Sequence, residues 1–285
     1  MQIRELLAIG EEILEKAGIE NYKIDAEALL SHEIGYDKTK IFMNWIHEIN
    51  FTHSERYFDT VNLRATGMPL QYIIGIQYFM GHKFKVNESV LIPRQETEIL
   101  VEKAIETIND QKNVKTVLDM CTGSGAIAVS LAIKFPSIKF TGIDISEEAL
   151  KVASKNGSTM VSGNNITFEQ GDLFASIKSG RFGKKYDLIT ANPPYIKTSV
   201  LPNLQREIYD HEPLLALDGG MDGLDFYKKI IIDSIPFYKP NGCLIMEIGH
   251  DQAGPVRDLL EKANYKKIET IKDLSGKDRI IRAFR

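Results

Sequence analysis

Val117-Leu118-Asp119-Met120-Cys121-Thr122-Gly123-Ser124-Gly125-Ala126 reads as a buried strand that breaks into a glycine loop and re-forms as a helix. A strand is expected over 114–120 and an apolar helix over 126–134. Glycines at such a junction let the backbone come close to a ligand, and the first helical turn offers N–H groups with no partner inside the helix. The next expected strand, 139–145, carries Asp144 near its end, about twenty residues beyond the loop. A carboxylate there is placed to accept both ribose hydroxyls of a nucleoside. Gly123, Gly125 and Ala128 also fit the dinucleotide pattern G-x-G-x-x-A, so a nicotinamide-dependent dehydrogenase stays open on this evidence.

Strands and helices alternate around this loop. Helices are expected over 96–109, 225–235 and 252–263. Another is capped by Ser146, with Glu147 and Glu148 beside its positive end. Strands are expected over 166–170, 186–191, 243–248, 265–271 and 280–284. The pattern is that of an α/β protein with a mostly parallel sheet and helices on both faces. Ahead of it, residues 76–93 read as a β-hairpin linker, in which Phe84 and Val86 alternate with Lys83 and Lys85 and Pro93 closes the segment. Residues 1–75 show helical spacing (Leu6, Leu7, Ile13, Leu14, then Ala26, Leu29, Leu30, Ile34) with no strand pattern, as in a small helical bundle. The expected domains are therefore 1–75, 76–93 and 94–285.

The chain has 285 residues with 35 basic and 39 acidic side chains, a net charge of -4 that gives no support for the basic domain a nucleic-acid binder carries. No direct nucleic-acid partner is expected. Cys121 and Cys243 fit neither a metal spacing nor a disulfide framework; no metal is expected, and the count suits a reducing compartment. Cys121 has no adjacent base or cation to activate it and reads as a small structural residue. No signal peptide opens the chain, and no run approaches the roughly 18 apolar residues of a membrane span. A soluble, cytoplasmic monomer with no membrane partner is the expectation.

The chemistry lies at the end of the fourth strand of the sheet, where residues 186–191 run into Asn192-Pro193-Pro194-Tyr195. Ligands of open α/β sheets gather at the carboxyl ends of strands. Two prolines remove N–H donors and stiffen the backbone, which leaves the Asn192 side-chain oxygen and the Pro193 carbonyl as rigid acceptors. Together they can hold an –NH2 group by both hydrogens, as befits a planar nitrogen whose lone pair is delocalised, and Tyr195 can stack on or wall in the planar group. Catalysis by such a site is positioning and electrostatics. The run has no use in a dehydrogenase and points to a methyl donor in the glycine-loop site. Asp119 would then meet the loop N–H groups or the donor's ammonium, or simply cap the loop. Asp172, in Gly171-Asp172-Leu173, would accept from the adenine amino group or close a turn. A nucleic-acid amino methyltransferase (adenine N6 or guanine N2) and a binding module that has lost catalysis remain alternatives.

The sequence resembles the release-factor glutamine methyltransferases over nearly its whole length. The resemblance is carried by Pro69-Leu70-Gln71-Tyr72-Ile73, Leu91-Ile92-Pro93-Arg94-Gln95-Glu96-Thr97-Glu98, Cys121-Thr122-Gly123-Ser124-Gly125, Asp144, Asn192-Pro193-Pro194-Tyr195, Glu212-Pro213 through Ala216-Leu217, Asp222-Gly223-Leu224 and Gly276-Lys277-Asp278-Arg279. It implies a Rossmann-like class I methyltransferase sheet that uses S-adenosyl-L-methionine. The implied substrate is the glutamine of a Gly-Gly-Gln loop on class I peptide-chain release factors. It further implies cofactor contacts at Cys121 to Gly125, Asp144 and Asn192, and glutamine binding by Asn192, Pro193, Pro194 and Tyr195. Asp119 and Asp172, from the reading of the residues above, and Leu173, as an apolar cover for the adenine face, complete the expected cofactor site, and Asn192, Pro193 and Tyr195 are the expected catalytic residues. The N-terminal helical domain would dock the release factor. The sequence departs from the family pattern at Cys121, where some relatives carry Gly, at Leu173, where some carry Trp, and at Gln95, where proline is frequent. Arg94 and Glu98 either order the linker or form a surface ion pair.

Overall fold

The computed structural model describes residues 1–111, 113–175, 177 and 185–285. They fall into two compact units, Met1–Ile76 with Gln205–His211, and Gln77–Leu204 with Glu212–Arg285.

The first unit is helical: α1 (Ile3–Lys16), α2 (Tyr22–Ile34), α3 (Lys38–Met43), α4 (Phe51–Ala65), α5 (Leu70–Ile74) and, from the later segment, α9 (Arg206–His211). Asp37 and Asn50 cap α3 and α4 by accepting the N–H groups of Lys40 and His53. The apolar stripes of α1, α2 and α4 meet in a core built on Leu6, Leu14, Leu29, Leu30, Tyr57 and Val61. Within it, buried Arg64 donates to buried Asp25 at 2.7 Å, to the Met68 carbonyl, and to Glu207 of α9. That ion pair brings residues 205–211 into a unit expected to end at residue 75.

The second unit opens with a hairpin, β1 (Ile76–Phe79) and β2 (His82–Lys85), turning at Met80-Gly81, both at positive φ. Phe79 and Phe84 pack edge to face in the same core as Val117, Leu188 and Ile245, so the expected linker belongs to the body of this unit. Then follow α6 (Gln95–Asp110), β3 (Thr116–Met120), α7 (Ala126–Lys134), β4 (Lys139–Asp144), α8 (Glu147–Met160), β5 (Ile166–Gln170), β6 (Tyr186–Ala191), α10 (Asp225–Asp233), β7 (Tyr238–Glu247), α11 (Ala253–Lys262), β8 (Lys266–Lys272) and β9 (Asp278–Phe284). Ser146 caps α8 by accepting from the Ala149 N–H.

Among the described residues seven strands form the main sheet, in the order β5-β4-β3-β6-β7-β9-β8. The pairs from β5 to β7 are parallel, and β9 lies antiparallel between β7 and β8. The chain winds outward from β3 to β5 and returns to β6 on the other side of β3. This reversal is a topological switch point, where open α/β sheets bind ligands. The register places Met120 beside Ile143 on one flank and Ala191 on the other. Cys121, Asp144 and Asn192 therefore leave three neighbouring strands side by side. Among the described residues no helix is long and apolar enough to cross a membrane.

Candidate active site

A cavity of about 360 Å³ opens at these three strand ends. Its floor is the glycine loop. Cys121, Gly123 and Gly125 all adopt positive φ (58°, 54° and 79°), the left-handed region that glycine enters without a Cβ penalty. At Cys121 this is the physical reason a glycine suits the position. Gly123 faces the cavity, and a Cβ built on it would meet no protein atom within 4 Å, so the space before it is open to a ligand. Beneath the loop, buried Asn156 donates to the carbonyls of Ser124 (2.9 Å) and Lys85 (3.0 Å) and accepts from the Lys85 N–H (2.8 Å). One side chain thus ties the loop to the hairpin.

Asp144 braces the loop from the next strand. Its Oδ2 accepts from the Gly123 N–H at 2.8 Å and its Oδ1 from the Ser146 N–H at 3.0 Å. Burial pushes its carboxyl up, against the opposing pull of these backbone N–H groups. Asp172 and Leu173 line the same cavity from the end of β5, with Leu173 held at φ 47° and almost wholly buried. The wall is thus a carboxylate pair with an apolar cover, suited to a nucleoside's hydroxyls, amino group and ring face.

Asp119 does not line the cavity. It lies under the loop, 1% exposed, accepting from the Thr122 hydroxyl at 2.6 Å and the Thr190 hydroxyl at 2.8 Å. Burial pushes it up to about 6. These hydroxyls tie it to the loop at Thr122 and to the neighbouring strand at Thr190. Gly125 is also outside the lining; it opens α7 against Ala153 and Phe168. Burial raises the Cys121 thiol well above its ordinary range, and the carboxylates of Asp144, Asp119 and Asp172 raise it further, which disfavours the thiolate.

On the opposite flank Asn192 and Pro194 line the cavity, while Pro193 is buried and Tyr195 faces away. The Tyr195 hydroxyl points to Glu247 at 3.4 Å, and its ring packs on the core. Burial and then the Glu247 carboxylate keep this phenol protonated. Tyr195, expected to stack on or wall in a planar group, is absent from the cavity lining. Two residues absent from the expected site stand here instead. The Asn192 Nδ2 lies 3.2 Å from the Thr97 hydroxyl, which lies 2.6 Å from the carboxylate of buried Glu247. Thr97 lines the cavity from the first turn of α6.

Comparison with known proteins agrees with this architecture. The family model of the PrmC N-terminal domain matches residues 5–75, and that of a methyltransferase domain matches residues 111–270. The release factor glutamine methyltransferase of Clostridium acetobutylicum is 39% identical over 285 residues, 100% of this chain and 99% of the relative. That of Bacillus subtilis is 40% identical over 284 residues, covering 98% and 96%.

The chain belongs to the release factor glutamine methyltransferase family.

A crystal structure of a methyltransferase from Pyrococcus furiosus shares the fold, with a TM-score of 0.51 at 17% identity over 72% of this chain and 89% of that one. Membership in the family makes this an enzyme and sets the dehydrogenase reading aside. The linker residues that carry the resemblance have structural work. Arg94 lines the cavity and pairs with buried Glu212, and Glu98 accepts the Met80 N–H at the hairpin turn. Gln95 is the first residue of α6, where the N–H has no helical partner and proline is well accommodated. Among the described residues no cluster of His, Cys, Asp or Glu could hold a metal ion.

Proposed function

We propose that the protein transfers a methyl group from S-adenosyl-L-methionine to the side-chain N5 amide of the glutamine in the Gly-Gly-Gln motif of class I peptide-chain release factors. The observation that carries this reading is the position of Asn192: it stands on a nucleoside-sized cavity, opposite Asp144, with its amide nitrogen occupied by Thr97.

The donor set fits the cofactor. Asp144 would accept from ribose hydroxyls, Asp172 from an adenine amino group, Leu173 would cover a ring face, and the open space before Gly123 would take the rest of the molecule. When bound, S-adenosyl-L-methionine supplies an electrophilic methyl whose leaving group is a neutral thioether. The protein's own contribution is to hold the glutamine amide. The Asn192 Oδ1 and the Pro193 carbonyl take its two hydrogens, which aims the nitrogen and favours the positive charge that develops on it. Prior deprotonation is not needed; the extra proton leaves to water afterwards. In this reading the helical unit recognises the release factor, and a translation factor as substrate places the enzyme in the cytoplasm.

The test is to incubate protein, methyl donor and a release factor, digest, and weigh the Gly-Gly-Gln peptide. A gain of one methyl group is expected. Asn192→Ala should lower kcat about 100-fold or more while changing the donor Kd little, because the lost acceptor acts on the transition state. An unmodified peptide, or methylation of DNA or RNA in its place, would overturn the proposal.

A further inference from the structure

We propose that Thr97 and Glu247 are positioning residues that fix which way round the Asn192 amide faces, a proposal that rests on Asn192 being the acceptor for the substrate amide. A side-chain amide has an acceptor at one end and a donor at the other, and only one orientation offers oxygen to an incoming –NH2. The opposite orientation would meet donor with donor.

Counting hydrogens decides the orientation. Thr97 and Glu247 are 4% and 2% exposed, so water does not supply their partners. The Thr97 hydroxyl has a single hydrogen, and at 2.6 Å from Glu247 Oε2 it is given to the carboxylate. The other carboxylate oxygen faces the Tyr195 hydroxyl. Burial raises the Glu247 carboxyl, while the Thr97 hydroxyl, the positive charge of Arg279 and the Tyr195 hydroxyl act against that rise in favour of the acceptor form. With its hydrogen committed, the Thr97 oxygen can only accept. The group 3.2 Å away must be the Asn192 Nδ2, which leaves Oδ1 for the cavity. The carboxylate thus sets the polarity of a chain running Asn192 to Thr97 to Glu247. Residues 95 and 150 positions apart in sequence are involved, on α6, β7 and the turn after β6. Without the hydroxyl the amide can turn over.

The experiment compares wild type, Thr97→Ser, Thr97→Val, Asn192→Ala and the double variant Thr97→Val/Asn192→Ala, using a release factor as substrate. Thr97→Val should lower kcat about 10- to 100-fold, the worth of one oriented hydrogen bond, with the donor Kd within about twofold of wild type. Thr97→Ser should restore kcat. The double variant should be no slower than Asn192→Ala alone, since Thr97 acts only through that side chain. A purely structural threonine would give multiplying losses. In parallel, the Asn192 side-chain NH2 is followed by nitrogen-15 NMR in the substrate-free protein, and should be protected from hydrogen exchange in wild type and Thr97→Ser and unprotected in Thr97→Val. An unchanged kcat in Thr97→Val, multiplying losses, or an unprotected NH2 in wild type would overturn the relay. If wild type itself left the glutamine unmodified, the substrate assignment would fail, and the NMR comparison alone would still decide the relay.

Discussion

Asp144→Asn is the most informative change to the nucleoside side of the cavity, because it removes charge and one acceptor while keeping shape. The Asp144 oxygens accept from the backbone N–H groups of Gly123 at 2.8 Å and Ser146 at 3.0 Å, and in the proposed reading their remaining acceptor capacity serves the ribose. An asparagine must turn its NH2 toward one of those N–H groups. That oxygen's backbone bond is lost, and a donor stands where a ribose hydroxyl needs an acceptor. A hydrogen bond to a charged acceptor contributes about 1.5–3 kcal/mol, so the donor Kd should rise by about 10- to 150-fold. At saturating donor the kcat should fall by no more than about threefold, since the loss is one of uniform binding. Calorimetric titration with S-adenosyl-L-methionine gives the first quantity and peptide mass analysis the second. The pH dependence adds a sign. Burial raises the Asp144 carboxyl, and the donor needs the ionised form. Wild-type affinity should therefore be full above that pKa and weaken as pH falls through it, while the asparagine variant stays flat. A Kd within about twofold of wild type, or a kcat loss exceeding the affinity loss, would refute the assignment of Asp144 to the ribose.

Two further predictions concern stability. Gly10 lies on α1 directly under Tyr57, where an added Cβ would stand 2.0 Å from the hydroxyl oxygen and 2.8 Å from the ring carbon bearing it. Helix propensity alone would make Gly10→Ala stabilising by about 1 kcal/mol, but overpacking a filled core costs about 1–3 kcal/mol; we expect a lower Tm by calorimetry, and a higher one would contradict the packing. Asp119 is raised from 3.8 to about 6, so its folded form holds a proton that its unfolded form has lost. Its contribution to stability is fully present below about pH 4 and falls by roughly 3 kcal/mol as pH rises through 6. The difference in unfolding free energy between wild type and Asp119→Asn should slope across that window and level off above it; a flat difference would mean that Asp119 is not desolvated in the folded protein.

The parts of the site that could be read in the sequence are those whose chemistry is local. A strand, a glycine loop and a helix occur in order within a dozen residues, and the end of a strand is visible from its own pattern, so Cys121 to Ser124, Asp144, Asp172 and Asn192 were all expected at the cavity and lie there. Asp119 and Tyr195 show the limit of that reasoning. Each sits near a strand end, but the direction of a side chain depends on its partners. Thr122 and Thr190 hold Asp119 under the loop, and Tyr195 turns to Glu247 and out of the cavity lining. Asn156 and Glu247 gave no local signal, and Thr97 showed only as a member of the linker motif, because each acts across a long sequence separation. The same holds for residues 205–211, which join the helical unit through Glu207 and Arg64. Likewise, strand patterning does not say that β9 enters the sheet between β7 and β8.

These long-range pairings are also what turn a common fold into a specific site. The switch point between β3 and β6 offers a ligand cavity by topology alone. The Pro193-Pro194 turn stiffens the backbone after Asn192, but a stiff backbone does not orient a side-chain amide. That takes a partner of defined polarity. The partner must be buried, since water would satisfy either end of the amide equally well. Glu247 meets the requirement at the end of β7, the strand beside β6, where parallel pairing brings it level with the turn. Thr97 meets it from the start of α6, whose entry is set by the Arg94 and Glu98 contacts. The linker motif and the Asn192 turn are therefore two ends of one hydrogen-bonded chain, and if Asn192 holds the substrate amide as proposed, a change in the linker should be felt in kcat before it is felt in the affinity for the methyl donor.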